Sequence, residues 1–215
     1  MGTPATRRIR LSRLHVGAAL ALAFVTALSL GTTTAGAAST AAGCPATPMS
    51  SPFARWGDTG NYFMLANGGF ESGSTGWTLA GGAKVVSGNE SYRIHSSRDA
   101  YSLSLPTGAS AQSAAACFDV TAQTVRMMVK GPTSSGAQLK VDAYILTQTP
   151  GGPNIRTVST QIANPGTSWN PSTPVTFALG ESQMLAPTAT VRFTFTALGG
   201  PWQIDDVYVD PFAST

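Results

Sequence analysis

The chain has 215 residues with 13 Lys+Arg, 10 Asp+Glu, two histidines and two cysteines, and a nominal pI of 9.1. Its basic excess sits at the front: setting aside Arg7, Arg8, Arg10 and Arg13 leaves 9 basic residues (13 − 4) against 10 acidic ones, so no basic stripe for nucleic acid remains. One histidine and two cysteines beyond residue 37 are likewise too few for a zinc site of the usual kind.

The four arginines precede an uncharged apolar run from Val16 to Leu30, and Ala35-Gly36-Ala37 follows as an A-x-A exit. Basic end, short apolar centre and small-residue exit describe a secretory signal peptide over residues 1–37. The run is shorter than the roughly 20 residues a membrane span needs, and no later stretch approaches that length. Arg10 falls where a twin-arginine signal prefers an apolar residue, which favours the general secretory route. The protein is therefore expected to be secreted and extracellular. Removal of 37 of 215 residues leaves about 178, one domain's worth.

Residues 38–60, rich in Ala, Thr, Ser, Pro and Gly, are expected to form an extended lead-in. Cys44 lies within it and Cys117 far downstream, and an oxidising compartment makes a disulfide the default for the pair. "AAGC" also resembles a lipoprotein processing site, but Cys44 lies well beyond the apolar run and Ala41 stands in place of the usual leucine. Pairing would staple the lead-in to the body.

From residue 61 to 215 nearly every segment has period two. Val125, Met127 and Val129 alternate with Arg126, Met128 and Lys130. Leu139, Val141, Ala143 and Ile145 alternate with Lys140, Asp142 and Tyr144. Val191, Phe193, Phe195 and Ala197 alternate with Arg192, Thr194 and Thr196. Each pattern puts one side of a strand in a core and the other in water. Weaker runs lie near 62–66, 83–87, 100–105, 112–120, 154–162, 174–179 and 202–209, with Gly/Pro turns such as "GPTSSG" and "TPGGPN" between them. Only "GESQMLAP" could hold a helical turn, and its proline would end it. The fold class is all-β: an antiparallel β-sandwich of about ten strands.

Two stretches stand apart from this pattern. "ANGGFESGSTGWT" opens the body and "WQIDDVYVDPF" closes it. With Asn67, Gly69, Phe70, Glu71, Gly76, Trp77, Asp205, Asp206 and Val207, they resemble the two ends of a galactose-binding-like β-jelly roll, as in the carbohydrate-binding modules of secreted xylanases and glucanases. The resemblance extends loosely over residues 62–212. It implies that Phe70 and Trp77 plug the sandwich end, and that Glu71 meets an aspartate of the last strand around a structural Ca2+ ion, with Asn67 or nearby carbonyls completing the shell. A hard cation wanting six to eight oxygens suits such a set. Strict alternation assigns Asp205 to the face of Val207 and Val209, and sends Asp206 to solvent; the metal set is then Asn67, Glu71 and Asp205. The bland alternative is a surface turn in which Glu71 caps nearby amides.

No catalytic set emerges. His95 has Ser96, Ser97 and Asp99 as neighbours, but residues adjacent on one strand alternate faces and make a poor triad. Glu71 and Asp205 could serve as a glycosidase pair, a role the calcium reading explains better. The resemblance instead implies a non-catalytic module for carbohydrate or cell-envelope polysaccharide. Its candidate ligand-binding residues are the water-facing Arg126, Lys140, Asp142, Tyr144 and Arg192. Trp169 and Trp202 could stack on a sugar, although tryptophans in such positions more often plug a core. A structural or adhesion protein of the cell envelope, binding a protein partner, is the alternative from another class, and Met128 on an outward face points that way. The oligomeric state is not legible.

Overall fold

The structure, a computed structural model, describes residues 44–119, 124–177 and 188–210. The expected signal peptide, residues 38–43 and the "GESQMLAP" turn lie outside the described residues.

The described chain is built from strands, with one 3-10 turn at Ala54–Trp56. In chain order these are β1 (Phe63–Met64), β2 (Trp77–Ala80), β3 (Lys84–Ser87), β4 (Tyr101–Leu105), β5 (Ser110–Ser113), β6 (Ala116–Asp119), β7 (Thr124–Lys130), β8 (Gln138–Thr149), β9 (Gly152–Ala163), β10 (Asn170–Pro171), β11 (Val175–Thr176), β12 (Thr188–Leu198) and β13 (Trp202–Asp210). They form two antiparallel sheets. A seven-stranded sheet runs β10-β7-β13-β4-β3, with β1 also on β13 and β11 on β7. A six-stranded sheet runs β2-β5-β12-β8-β9, and β6 continues the line of β5 along β12. The chain crosses repeatedly from one sheet to the other, as from β4 to β5, β6 to β7, β7 to β8 and β12 to β13. This is the expected jelly-roll sandwich.

Alternation places the core as read. Val125, Met127 and Val129 of β7, with Ile204, Val207 and Val209 of β13, face Leu139, Val141, Ala143 and Ile145 of β8 and Val191, Phe193, Phe195 and Ala197 of β12 across the sandwich. Phe70 and Trp77 plug one end, their rings 4.9 Å apart, and both belong to this core. Trp202 is buried in the same core, so it stacks on no ligand.

The outward face of the seven-stranded sheet is not solvated where the lead-in crosses it. Residues 44–62 form a strap over it, joined by the Ser50–Tyr62 bridge, and build a second small core of Phe53, Tyr62, Met128 and Tyr208. Trp56 and Trp169 pack against this core. Phe53 meets Tyr62 and Tyr208 edge-on, at 5.2 and 5.8 Å between ring centroids. The outward-facing Met128 is therefore covered by the chain's own strap. Arg126 lies under it too: its Nε donates to the Ser172 carbonyl at 2.9 Å, its Nη1 pairs with Asp58, and its guanidinium sits 4.6 Å over the Phe53 ring. Asp58 also accepts from the Tyr62 hydroxyl at 2.6 Å. Burial pushes the Asp58 carboxyl up, but that hydroxyl, the Gly60 amide and Arg126 together hold it below the usual carboxylate range.

Cys44 and Cys117 are joined, with Cα atoms 5.4 Å apart, and the bond spans 73 residues. It ties the start of the strap to β6 of the opposite sheet. In the chain-entropy account a loop of this length contributes about 4 kcal/mol. Replacing both cysteines (Cys44→Ser with Cys117→Ser) should therefore lower the denaturation midpoint and open residues 44–60 to limited proteolysis while β8–β13 stay protected. Unchanged cleavage and midpoint would show that the strap is held by Phe53 and Asp58 alone.

Candidate functional site

With one outward face strapped, the outward face of the six-stranded sheet becomes the open one. Its register brings polar side chains of four strands into rows. Gln112 of β5 stands opposite Thr194 of β12, Thr194 opposite Asp142 of β8, and Asp142 opposite Ser159 of β9. In the neighbouring row Arg192 stands opposite Tyr144, and Tyr144 opposite Thr157. Together with Lys140 these residues line an open groove of about 480 Å³. Four of the five residues expected to bind ligand are thus brought together: Lys140, Asp142, Tyr144 and Arg192.

The fifth is not. Arg126 belongs to β7 of the other sheet, locked between Asp58, Phe53 and Ser172. Alternation alone says that a side chain faces out, without saying out of which sheet or under what cover. Sequence reading also missed Gln112, Thr157, Ser159 and Thr194 as groove residues. Their strands were legible, but which strands neighbour each other is a long-range property.

Within the groove most polar groups already have partners. The Lys140 ammonium lies 2.9 Å from Asp142, which also accepts a hydrogen bond from the Ser159 hydroxyl. Gln112 donates to the Thr194 hydroxyl at 3.1 Å. Tyr144 is 40% exposed. Its ring, unlike those of Trp56, Tyr92 and Phe53, carries no guanidinium among the described residues. It offers an uncovered aromatic face among hydroxyls and amides, the mixture that fixes a polar, ring-shaped ligand.

The opening motif forms a turn packed against Asp206 and Val207 in the middle of β13. Asn67 is spent on the turn itself: its Nδ2 donates to the Gly73 and Thr75 carbonyls, and its Oδ1 accepts from Ser72 N–H. Its side chain is therefore a loop brace, correcting its expected place among metal ligands. Glu71 Oε1 accepts from the amides of Ala100 and Tyr101, both at 2.9 Å. The paired glycines serve close approach. A Cβ on Gly68 would lie 2.7 Å from the Val207 carbonyl oxygen, and one on Gly69 would lie 3.0 Å from Asp206 Oδ1.

Alternation fails in β13. Asp205 stands opposite Met128 and Tyr208 opposite Arg126, so one extra residue is accommodated between them, and Asp206 takes a positive φ of 50°. A bulge of this kind re-aims side chains. Asp205 consequently leaves the face of Val207 and Val209 and lies on the outward side, buried beneath residues 88–99. Its Oδ2 accepts from Glu90 N–H at 3.0 Å and its Oδ1 from Asp206 N–H at 2.9 Å. Asp206, expected in solvent, is fully buried, and neither of its carboxylate oxygens has a hydrogen-bond partner among the described residues. The acceptor left free for a cation is Asp206, correcting the choice of Asp205. Donor atoms of His95, Asp99 and Asp206 lie within 4.8 Å of one another, and His95 Nδ1 is 2.7 Å from Asp99 Oδ2. Glu90 is also buried nearby, its oxygens accepting from Tyr92 and Ile94 N–H. Orphaned oxygens and an excess of carboxylates are the chemistry a hard cation would fit, with Asp206 and Asp99 as the residues that would hold it. The sequence carried a signal in "GNESYRIHSSRD", two acids flanking a histidine, that a search for triads did not exploit.

The charge crowding has a titration consequence. Burial first, then Glu90, pushes Asp206 up to about 7; burial first, then Asp206, pushes Asp205 up to about 9.

No known family's sequence profile and no curated protein matches the chain. Solved structures do. The module TmCBM61, described in complex with β-1,4-galactotriose, is 20% identical over 68% of this chain and 96% of its own, with a TM-score of 0.42. A family 16 carbohydrate binding module-2 is 15% identical over 68% and 98%, at 0.43. The CBM22-1-GH10 modules of Clostridium thermocellum xylanase 10B, described with xylohexaose, are 11% identical over 68% of this chain and 28% of theirs, at 0.41.

A carboxyl raised in the folded state favours folding while protonated, and its contribution is lost as pH rises from the unfolded value near 4 through the folded one. In cation-free buffer the melting temperature should therefore fall between pH 5 and pH 8, and Asp206→Asn should flatten that fall. A flat wild-type profile would contradict the geometry.

Proposed function

We propose that this chain is a secreted, non-catalytic binding module that grips a polysaccharide in the groove formed by β5, β12, β8 and β9. The observation that carries this reading is the uncovered Tyr144 ring within a groove otherwise lined by hydroxyl, amide and charged side chains. A pyranose offers an apolar face to a ring and hydroxyls to polar neighbours, so both halves of the groove are used. The export signal and the two end motifs, with their resemblance to carbohydrate-binding modules, support the same reading. The His95–Asp99 pair is accounted for by the acidic end-piece, without a catalytic role.

Affinity electrophoresis against a panel of neutral and acidic polysaccharides should find retention. Tyr144→Ala should weaken it at least tenfold, the cost expected when a central aromatic contact is removed, with the melting temperature unchanged. Retention by no glycan, alongside capture of a defined envelope protein through the same face, would favour the adhesion alternative.

The second part of the proposal is a structural calcium ion at Asp206 and Asp99, with Glu71 and backbone carbonyls as further candidates. When bound, the ion would supply the positive charge that the buried carboxylates lack. Chelation should lower the melting temperature and calcium restore it, by about 2.7 kcal/mol when calcium is a hundredfold above its dissociation constant. Asp206→Asn should remove the response. Stabilisation by zinc but not calcium would assign the site to His95 and a different metal.

A further inference from the structure

We infer that the groove selects acidic glycans, with Arg192 gripping the carboxylate of a uronic acid whose ring lies on Tyr144. The inference rests on the glycan-binding reading of this groove and adds the charge class of its ligand.

The argument begins with charge accounting inside the groove. Its lining carries two cations, Lys140 and Arg192, and one anion, Asp142. Asp142 is satisfied by Lys140 at 2.9 Å and by the Ser159 hydroxyl, and so has little left to offer Arg192. Arg192 has no ion pair and no side-chain hydrogen bond among the described residues, and it is exposed on the central strand β12. A guanidinium left free in a concave polar site is matched best by a planar, two-oxygen anion, which it can hold through two parallel hydrogen bonds.

Position gives the second strand of the argument. Arg192 and Tyr144 are directly opposed across the antiparallel β12–β8 pair. Opposed residues have Cβ atoms about 5 Å apart. Their side chains therefore reach the two parts of one sugar unit, the ring face and a substituent at its edge. The guanidinium is not stacked on the Tyr144 ring, so both surfaces stay available together.

The third observation concerns what a neutral chain would lack. Other large exposed rings, Tyr92 and Tyr101, sit elsewhere, Tyr101 on β4 of the other sheet and Tyr92 beside Trp56 on the strap side. With Trp169 and Trp202 packed into the fold, Tyr144 is the one aromatic platform of this groove. A single ring provides little grip on a neutral glycan, and a charge-assisted pair beside it supplies what a second ring otherwise would.

The test compares a trigalacturonide with the neutral trisaccharide made by reducing its carboxyl groups, by titration calorimetry at fixed calcium, with the polysaccharide panel above run alongside. The trigalacturonide should bind at least tenfold more tightly than its reduced form and weaken as salt is raised. Arg192→Gln should abolish the preference, and Arg192→Lys should restore part of it. Equal binding of the two trisaccharides, binding of neutral glycans alone, or an acidic preference that survives Arg192→Gln would overturn the inference and leave the glycan-binding reading standing. Binding of neither trisaccharide and of nothing in the panel would overturn both.

Discussion

A two-sheet sandwich has two outward faces, and in this protein one of them is occupied by the chain itself. The Phe53 ring is driven between Tyr62, Tyr208 and the Arg126 guanidinium, and Asp58 closes over that guanidinium. A buried arginine without a counter-charge would be costly, and Asp58, the Ser172 carbonyl and the Phe53 ring together offset that cost. The strap is thereby part of the fold. Over Met128 and Tyr208 the strapped face is closed, while Ser104, Lys130 and Gln203 at one end of the same sheet still line a smaller open cavity.

The free face is correspondingly rich in side chains that suit a wet surface. Threonine, serine, glutamine, lysine and aspartate form cross-strand rows on β5, β12, β8 and β9, satisfied largely by one another. Such mutual pairing holds the groove's polar groups in place. Tyr144 and Arg192 are the departures from it: among the described residues, the ring has no covering guanidinium and the Arg192 guanidinium has no partner. Where a surface is otherwise internally satisfied, the unsatisfied members are the ones free to engage something else.

At one end of the sandwich the same chain tolerates an arrangement that is unfavourable taken alone. Asp205, Asp206, Glu90 and Asp99 are all buried, and neither carboxylate oxygen of Asp206 has a hydrogen-bond partner among the described residues. The β13 bulge creates this crowding by adding one residue between Asp205 and Tyr208, and Gly69 permits it by leaving room beside Asp206. Buried like charges of this kind are held neutral by protons or by a cation. The turn and the last strand therefore belong to one electrostatic unit, although more than 120 residues of chain separate them.

The sequence by itself determined the class of fold. Period-two alternation in β7, β8 and β12 named their core residues correctly, because a strand's inside and outside follow from backbone geometry two residues at a time. Phe70 and Trp77 as core plugs followed from the resemblance of the two end motifs, and the pairing of the two cysteines from the expected oxidising compartment. The site was legible in part: Lys140, Asp142, Tyr144 and Arg192 lie on adjacent strands whose patterns are strong. What only the tertiary structure decided is which sheet each outward residue belongs to and what lies above it. Arg126 has the same alternation as Arg192, yet one is clamped beneath the strap and the other faces open groove. Asp205 left its expected face and Asp206, expected in solvent, is buried, because a single-residue bulge breaks the period on which the expectation rested. Strand neighbours, cover and bulges are set by contacts between residues distant in the chain, and no local pattern of apolar and polar residues encodes them.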